Sequence, residues 1–147
     1  MPTFDNEEIL NMSTEGEMET SMPPVPEGEW PGYIDGLGTR SGTSEKGNDW
    51  AALDVTWKIT DTSVAEEVGI DEPQVRQTVF LDFDDSGNLA LGPGKNLQLG
   101  RLREAVGQNG PGSWSIGQLE GATGICRVEH REYNGRIFAD VKSVAAA

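Results

Sequence analysis

The sequence predicts a mainly β protein: five strands closing into a small barrel, one helix between the third and fourth, and an acidic extension in front. Three observations predict it. The stretch WAALDVTWKIT (50–60) alternates apolar and polar residues, which is the period of a half-buried strand. An Asn134-Gly135 pair separates two further alternating runs, the strongest short hairpin signal. Finally, 19 Gly and 8 Pro among 147 residues favour turns and short strands over long helices.

The elements follow in order. Residues 29–37, EWPGYIDGL, read as a first strand opened by a turn, with Trp30, Tyr33, Ile34 and Leu37 available for burial. GTRSGTSEKGND (38–49) reads as a Gly/Ser/Asn-rich loop. In the second strand Ala51, Leu53, Val55, Trp57 and Ile59 point one way, and Ala52, Asp54, Thr56, Lys58 and Thr60 the other. Ser63 with Glu66 predicts a capping box opening a one-turn helix through Val68, closed by Gly69. QVRQTVFLDF (74–83) is a third strand with Val75, Val79, Leu81 and Phe83 inward. In NLQLGRLREAV (96–106), Leu99, Leu102 and Val106 fall at i, i+3 and i+7, the stripe of an amphipathic helix that Gly107 ends. GATGICRVEHREYNGRIFADVKSV (121–144) supplies the last two strands. The order β-β-β-α-β-β is that of an OB fold, although other small barrels can be written on the same pattern.

Charge divides the chain. The formal net charge is −14, and residues 1–29 hold eight acids (Asp5, Glu7, Glu8, Glu15, Glu17, Glu19, Glu27, Glu29) with no Lys or Arg. Residues 30–147 hold the other 17 acids and all 11 bases, a net of −6. Acid-rich, filled with Met, Ser and Thr and closed by PPVP, residues 1–25 are expected to be a disordered arm ahead of a domain spanning 26–147. The arm reads either as a solubilising tail or as a segment that docks a partner or blocks a site. No basic n-region with an apolar h-region opens the chain, and no apolar run reaches the roughly 18 residues of a membrane span, so an intracellular protein is expected.

Signatures of catalysis and cofactor binding do not hold up. One Cys (Cys126) excludes an intrachain disulfide and a four-Cys zinc site, and one His (His130) excludes a His cluster. DFDDSG (82–87) begins like a calcium loop, but its twelfth position is Pro93 rather than Glu. GPGKN (92–96) ends like a phosphate loop, but Leu89 stands where the first Gly is needed and Asn96 where a Ser or Thr is needed. Cys126 falls on the same alternation as Val128, a small core position, and His130 on that face reads as structural. No cofactor is implied and no enzyme signature survives.

The last hairpin carries more information. A two-residue loop at Asn134-Gly135 makes facing residues sum to 269. One side then pairs Tyr133 with Arg136, Arg131 with Phe138, Glu129 with Asp140, and Arg127 with Lys142. The other side pairs Glu132 with Ile137, His130 with Ala139, Val128 with Val141, and Cys126 with Ser143. The first side gathers four of the eleven cations around two rings. A solvated charged face needs no function, yet leaving Phe138 exposed forgoes about 2 kcal/mol of burial. Rings interleaved with cations are also what single-stranded nucleic acid uses: bases stack on the rings and cations follow the phosphates. The candidate nucleic-acid contacts are Arg127, Arg131, Tyr133, Arg136, Phe138 and Lys142. Trp50, Lys58, Arg76 and Phe80 adjoin them on the off-core alternation of their strands, although Phe80 fits the core as well.

PEGEWPGYIDG (26–36), DWAALDVTWKITD (49–61), LREAVG (102–107) and REYNGRIFADVKSV (131–144) together resemble a family of bacteriophage OB-fold single-stranded DNA-binding proteins, over about residues 26–144. The resemblance implies a non-enzymatic protein of phage replication or recombination in the cytoplasm of the infected bacterial host. Its implied partners are single-stranded DNA, replication or recombination proteins that dock on residues 1–29, and a second copy through strand edges, with no membrane. This chain differs in carrying its acidic extension at the N-terminus and ending in the neutral VAAA. The charge of the body points instead to a structural or protein-interaction barrel, a virion component or an inhibitor gripping its partner with the acidic arm, because a net −6 repels DNA at long range.

Overall fold

The protein is described here by a computed structural model covering residues 5–147, so the first four residues of the expected arm lie outside the described residues. The strand with the clearest alternation sits at the centre. β2 (Asp49–Ile59) buries Leu53, Val55, Trp57 and Ile59 completely or nearly so. It pairs antiparallel with β1 (Gly28–Thr43) on one side and β3 (Gln74–Leu81) on the other. The first part of β1 pairs with β4 (Thr123–Tyr133), and β4 forms the terminal hairpin with β5 (Arg136–Ala145). β5 then meets β3 in parallel at Arg76 and Asp140, which closes the barrel in the order β1-β2-β3-β5-β4. The protein is thus a mainly β, OB-fold-like barrel of five strands with its helix between strands 3 and 4.

Three helices accompany the strands: α1 (Asn6–Leu10), α2 (Thr62–Val68) and α3 (Leu97–Ala105). α3 packs against both β3 and β5, inserting Leu99 and Leu102 into the core. α1 buries no residue, and the residues from Asp5 to Pro23 are all exposed. The core begins slightly earlier than the expected boundary at 26. Val25 is buried, its carbonyl lies 2.7 Å from His130 Nε2, and the Trp30 indole donates to the Pro26 carbonyl at 2.8 Å. Among the described residues no helix is long and apolar enough to cross a membrane.

Close approach of backbone to ring explains one glycine. A Cβ on Gly124 of β4 would lie 2.6 Å from Val144 Cγ1 and 3.3 Å from the Trp57 ring, so only hydrogen fits between β4 and the indole.

The structure differs from the sequence expectation at several points. β1 runs six residues past Leu37, because the supposed loop 38–43 pairs with β2 from Gly38 opposite Asp54 to Thr43 opposite Asp49. The ladder groups of β2 need partners, and this requirement overrides the low strand propensity of Gly and Ser. The Ser63/Glu66 capping box does not form. Asp61 is the N-cap of α2, its carboxylate accepting from the Ser63 and Val64 N–H groups, while Gly69 closes the helix in the left-handed conformation as expected. Phe83 is not inward: β3 stops at Leu81, and Phe83 is exposed, bridging to Leu89. A 3-10 turn, Ile116–Leu119, fills a segment without periodicity and buries Leu119 completely.

Candidate nucleic-acid interface

β3 and β5 touch at a single bridge and then part. Between them, over one side of α3, opens a groove of about 1260 Å³. Arg40 of β1, Arg76, Gln77, Thr78 and Phe80 of β3, and Gln98 and Arg101 of α3 line it. Glu129 and Arg131 of β4 with Asp140 and Lys142 of β5 complete its polar wall. Five of the eleven cations of the chain therefore meet here, against three carboxylates: Glu104, Glu129 and Asp140. The potential of the groove is set locally and opposes that of the acidic body.

Two of these five cations, Arg40 and Arg131, are held by carboxylate partners. Arg40 forks onto Asp54, with Nε to Oδ2 at 2.6 Å and Nη2 to Oδ1 at 3.0 Å. The Arg40 hydrogen bonds hold the Asp54 carboxyl below the usual carboxylate range, outweighing its partial desolvation. A depressed carboxylate stabilises the fold above its unfolded pKa of about 3.9, and that stabilisation disappears as pH falls through the folded value. Arg40→Ala is accordingly expected to lower Tm near neutral pH, with the deficit relative to wild type shrinking as pH falls below the unfolded carboxylate pKa of about 3.9; thermal melts across that range check it.

Arg131 donates to Asp140, and its guanidinium lies over the Phe138 ring, 4.7 Å from the centroid. That pair, together with Arg127 to Glu129 at 3.6 Å, offsets the like-charge facing of Glu129 and Asp140. Arg76, Arg101 and Lys142 form no ion pair within 4 Å in the described residues and are the cations most available to a ligand.

The ten expected contacts separate. Arg76, Phe80, Arg131 and Lys142 line the groove. Trp50 meets Phe80 edge to face at 6.2 Å between centroids, which extends the groove wall with a second ring. Phe80 is exposed rather than core. Phe138 lies beneath Arg131, so one side of its ring is already covered. Tyr133 and Arg136 face each other at the exposed hairpin tip, outside the groove lining. Lys58 is turned toward Asp35 at 3.8 Å and does not join them.

Arg127 is displaced by a register change. Facing residues sum to 269 from Tyr133 to Val128, after which a bulge shifts the pairing and sets Arg127 opposite Ser143 and Cys126 opposite Val144. Arg127 does not face Lys142 as a two-residue loop alone would require. It lies instead in a small depression with Glu27, Glu29 and Glu129. The carboxylates there make a poor phosphate site.

Counting residues missed Arg40, which lay in the supposed loop, and Arg101 and Gln98, whose helix was read only for its buried stripe. Gln77 was passed over between Val75 and Val79. Burial pushes the Cys126 thiol up to about 12, in keeping with an inert core position. No family model matches the chain, and no curated protein matches it.

Proposed function

We propose that this protein binds single-stranded DNA in the groove between β3 and β5, without catalysing a reaction. The resemblance of its sequence segments to phage single-strand binders supports a role in bacteriophage replication or recombination in the host cytoplasm. One observation carries the reading: in a chain of net charge −14, five of eleven cations line a single groove whose wall ends in the Trp50–Phe80 pair. Phosphates would be met by Arg76, Arg101 and Lys142, and bases by the two rings. Neither partner needs sequence information, which suits a binder of exposed single strands.

The competing reading is a barrel that grips a protein partner through its arm; the net charge favours it. Titration with oligo-dT at low salt decides between them, comparing the whole chain with a Δ2–22 truncation. A cut at residue 29 would remove the buried Val25, so the shorter truncation is the appropriate one. The truncation removes six acids and is expected to bind more tightly than the whole chain, because long-range repulsion falls. Binding by neither protein would exclude the DNA reading. Within it, Phe80→Ala is expected to weaken binding by about 1–3 kcal/mol, the worth of one stacked base. Tm should change little, since Phe80 is 55% exposed; a large drop in Tm would make the ring structural.

A further inference from the structure

We propose that Gln77 reads one base in this groove, favouring bases that present a carbonyl oxygen, thymine above all, over adenine. The inference rests on the nucleic-acid reading of the groove and adds a specificity to it.

Gln77 occupies an inward position of β3, between the buried Val75 and Val79. It is the only polar or charged side chain buried in the described residues, at 9% exposure. The Trp57 indole N–H donates to its Oε1 at 3.0 Å. An indole nitrogen can only donate, so this bond decides which way the amide faces: Oε1 toward Trp57 and Nε2 away from it. Among the described residues Nε2 has no acceptor, yet no fully buried side-chain polar atom there lacks a partner. Nε2 therefore reaches open space, and the open space that Gln77 borders is the groove. It stands one residue beyond the Arg76–Asp140 bridge, where β3 and β5 separate.

A donor held by the core at the floor of a cationic groove selects for an acceptor. Glutamine ordinarily recognises adenine with both ends of its amide, Oε1 accepting from N6 and Nε2 donating to N7. Here Oε1 is turned to the Trp57 indole in the core, so the accepting half of that pair faces away from the groove. What remains is a donor. The carbonyl oxygens of thymine take a donor directly, whereas N1 and N7 of adenine are each flanked by the N6 amino group, itself a donor. A base without a well-placed acceptor would cover Nε2, shutting it off from solvent without a partner, which is the origin of the discrimination. Arg76 and Lys142 on the rims are placed to take the phosphates on either side of the base that is read.

The test compares oligo-dT with oligo-dA of equal length at one salt concentration, for wild type, Gln77→Met and Gln77→Glu. Adenine self-stacking contributes equally to all three proteins, so the ratio of the two affinities is the readout. Gln77→Met removes the donor at similar length, and the preference for dT is expected to fall on the order of tenfold. Gln77→Glu keeps an acceptor for Trp57 and hence the fold, but presents an acceptor to the groove. Its dT affinity should fall by more than its dA affinity, which decides the matter if the Met variant proves unstable. An unchanged ratio in a folded Glu variant overturns the role of Gln77 while leaving the groove as the DNA site. Failure of wild type to bind either oligonucleotide overturns both.

Discussion

Replacing Arg76 and Lys142 together by alanine is expected to weaken oligo-dT binding about tenfold or more at low salt. It should also flatten the plot of log K against log salt by about 1.4, the contribution of two phosphate contacts on a single strand. Both side chains line the groove, one from β3 and one from β5. Their removal leaves three cations against three carboxylates in the groove, so its net positive charge is cancelled. Arg127→Ala is the control. It removes one cation from the terminal hairpin, but from a depression lined by Glu27, Glu29 and Glu129. If the Arg127 variant loses as much affinity and slope as the double variant, net charge rather than this groove governs binding.

Trp57→Ala is expected to cost about 3–5 kcal/mol of stability, the loss of a large aromatic side chain from a packed core plus the cavity it leaves. Against a total of 5–15 kcal/mol for a typical domain, the variant would be partly unfolded at physiological temperature. The ring is fully buried at the centre of β2, touches the space left by Gly124, and holds the amide of Gln77. Urea denaturation measures the effect. A loss below about 1 kcal/mol would mean that the barrel does not close around this side chain. Trp57→Phe should retain much of the stability while releasing Gln77, separating the packing role from the orienting one.

Much of the fold was legible because local rules and the global structure agree. The alternation of 50–60 needs one dry side, and the barrel supplies it. The Asn134-Gly135 turn dictates a register, and the ladder keeps it from Tyr133 to Val128. The Leu99 and Leu102 stripe is buried against the strands as its spacing demands. Capping failed for a local reason: Asp61 and Ser63 both suit an N-cap, and only the backbone path into α2 selects the carboxylate.

The site was less legible, because it depends on distances between segments far apart in the chain. The sequence by itself determined that cations are scarce, that residues 1–29 hold eight acids and no Lys or Arg, and that rings and cations interleave on the last hairpin. Only the tertiary structure decided which of them meet. One extra residue in β5 took Arg127 out of register with Lys142, and the pairing of β4 with β1 set it opposite Glu29 in an acidic depression. Pairing with β2 turned a Gly/Ser-rich stretch into strand and carried Arg40 to the groove. The parting of β3 and β5 after one bridge made the groove itself and opened it to a buried amide. Side-chain chemistry is written residue by residue, whereas a site is made of closures between strands, and closure is a property of the whole chain.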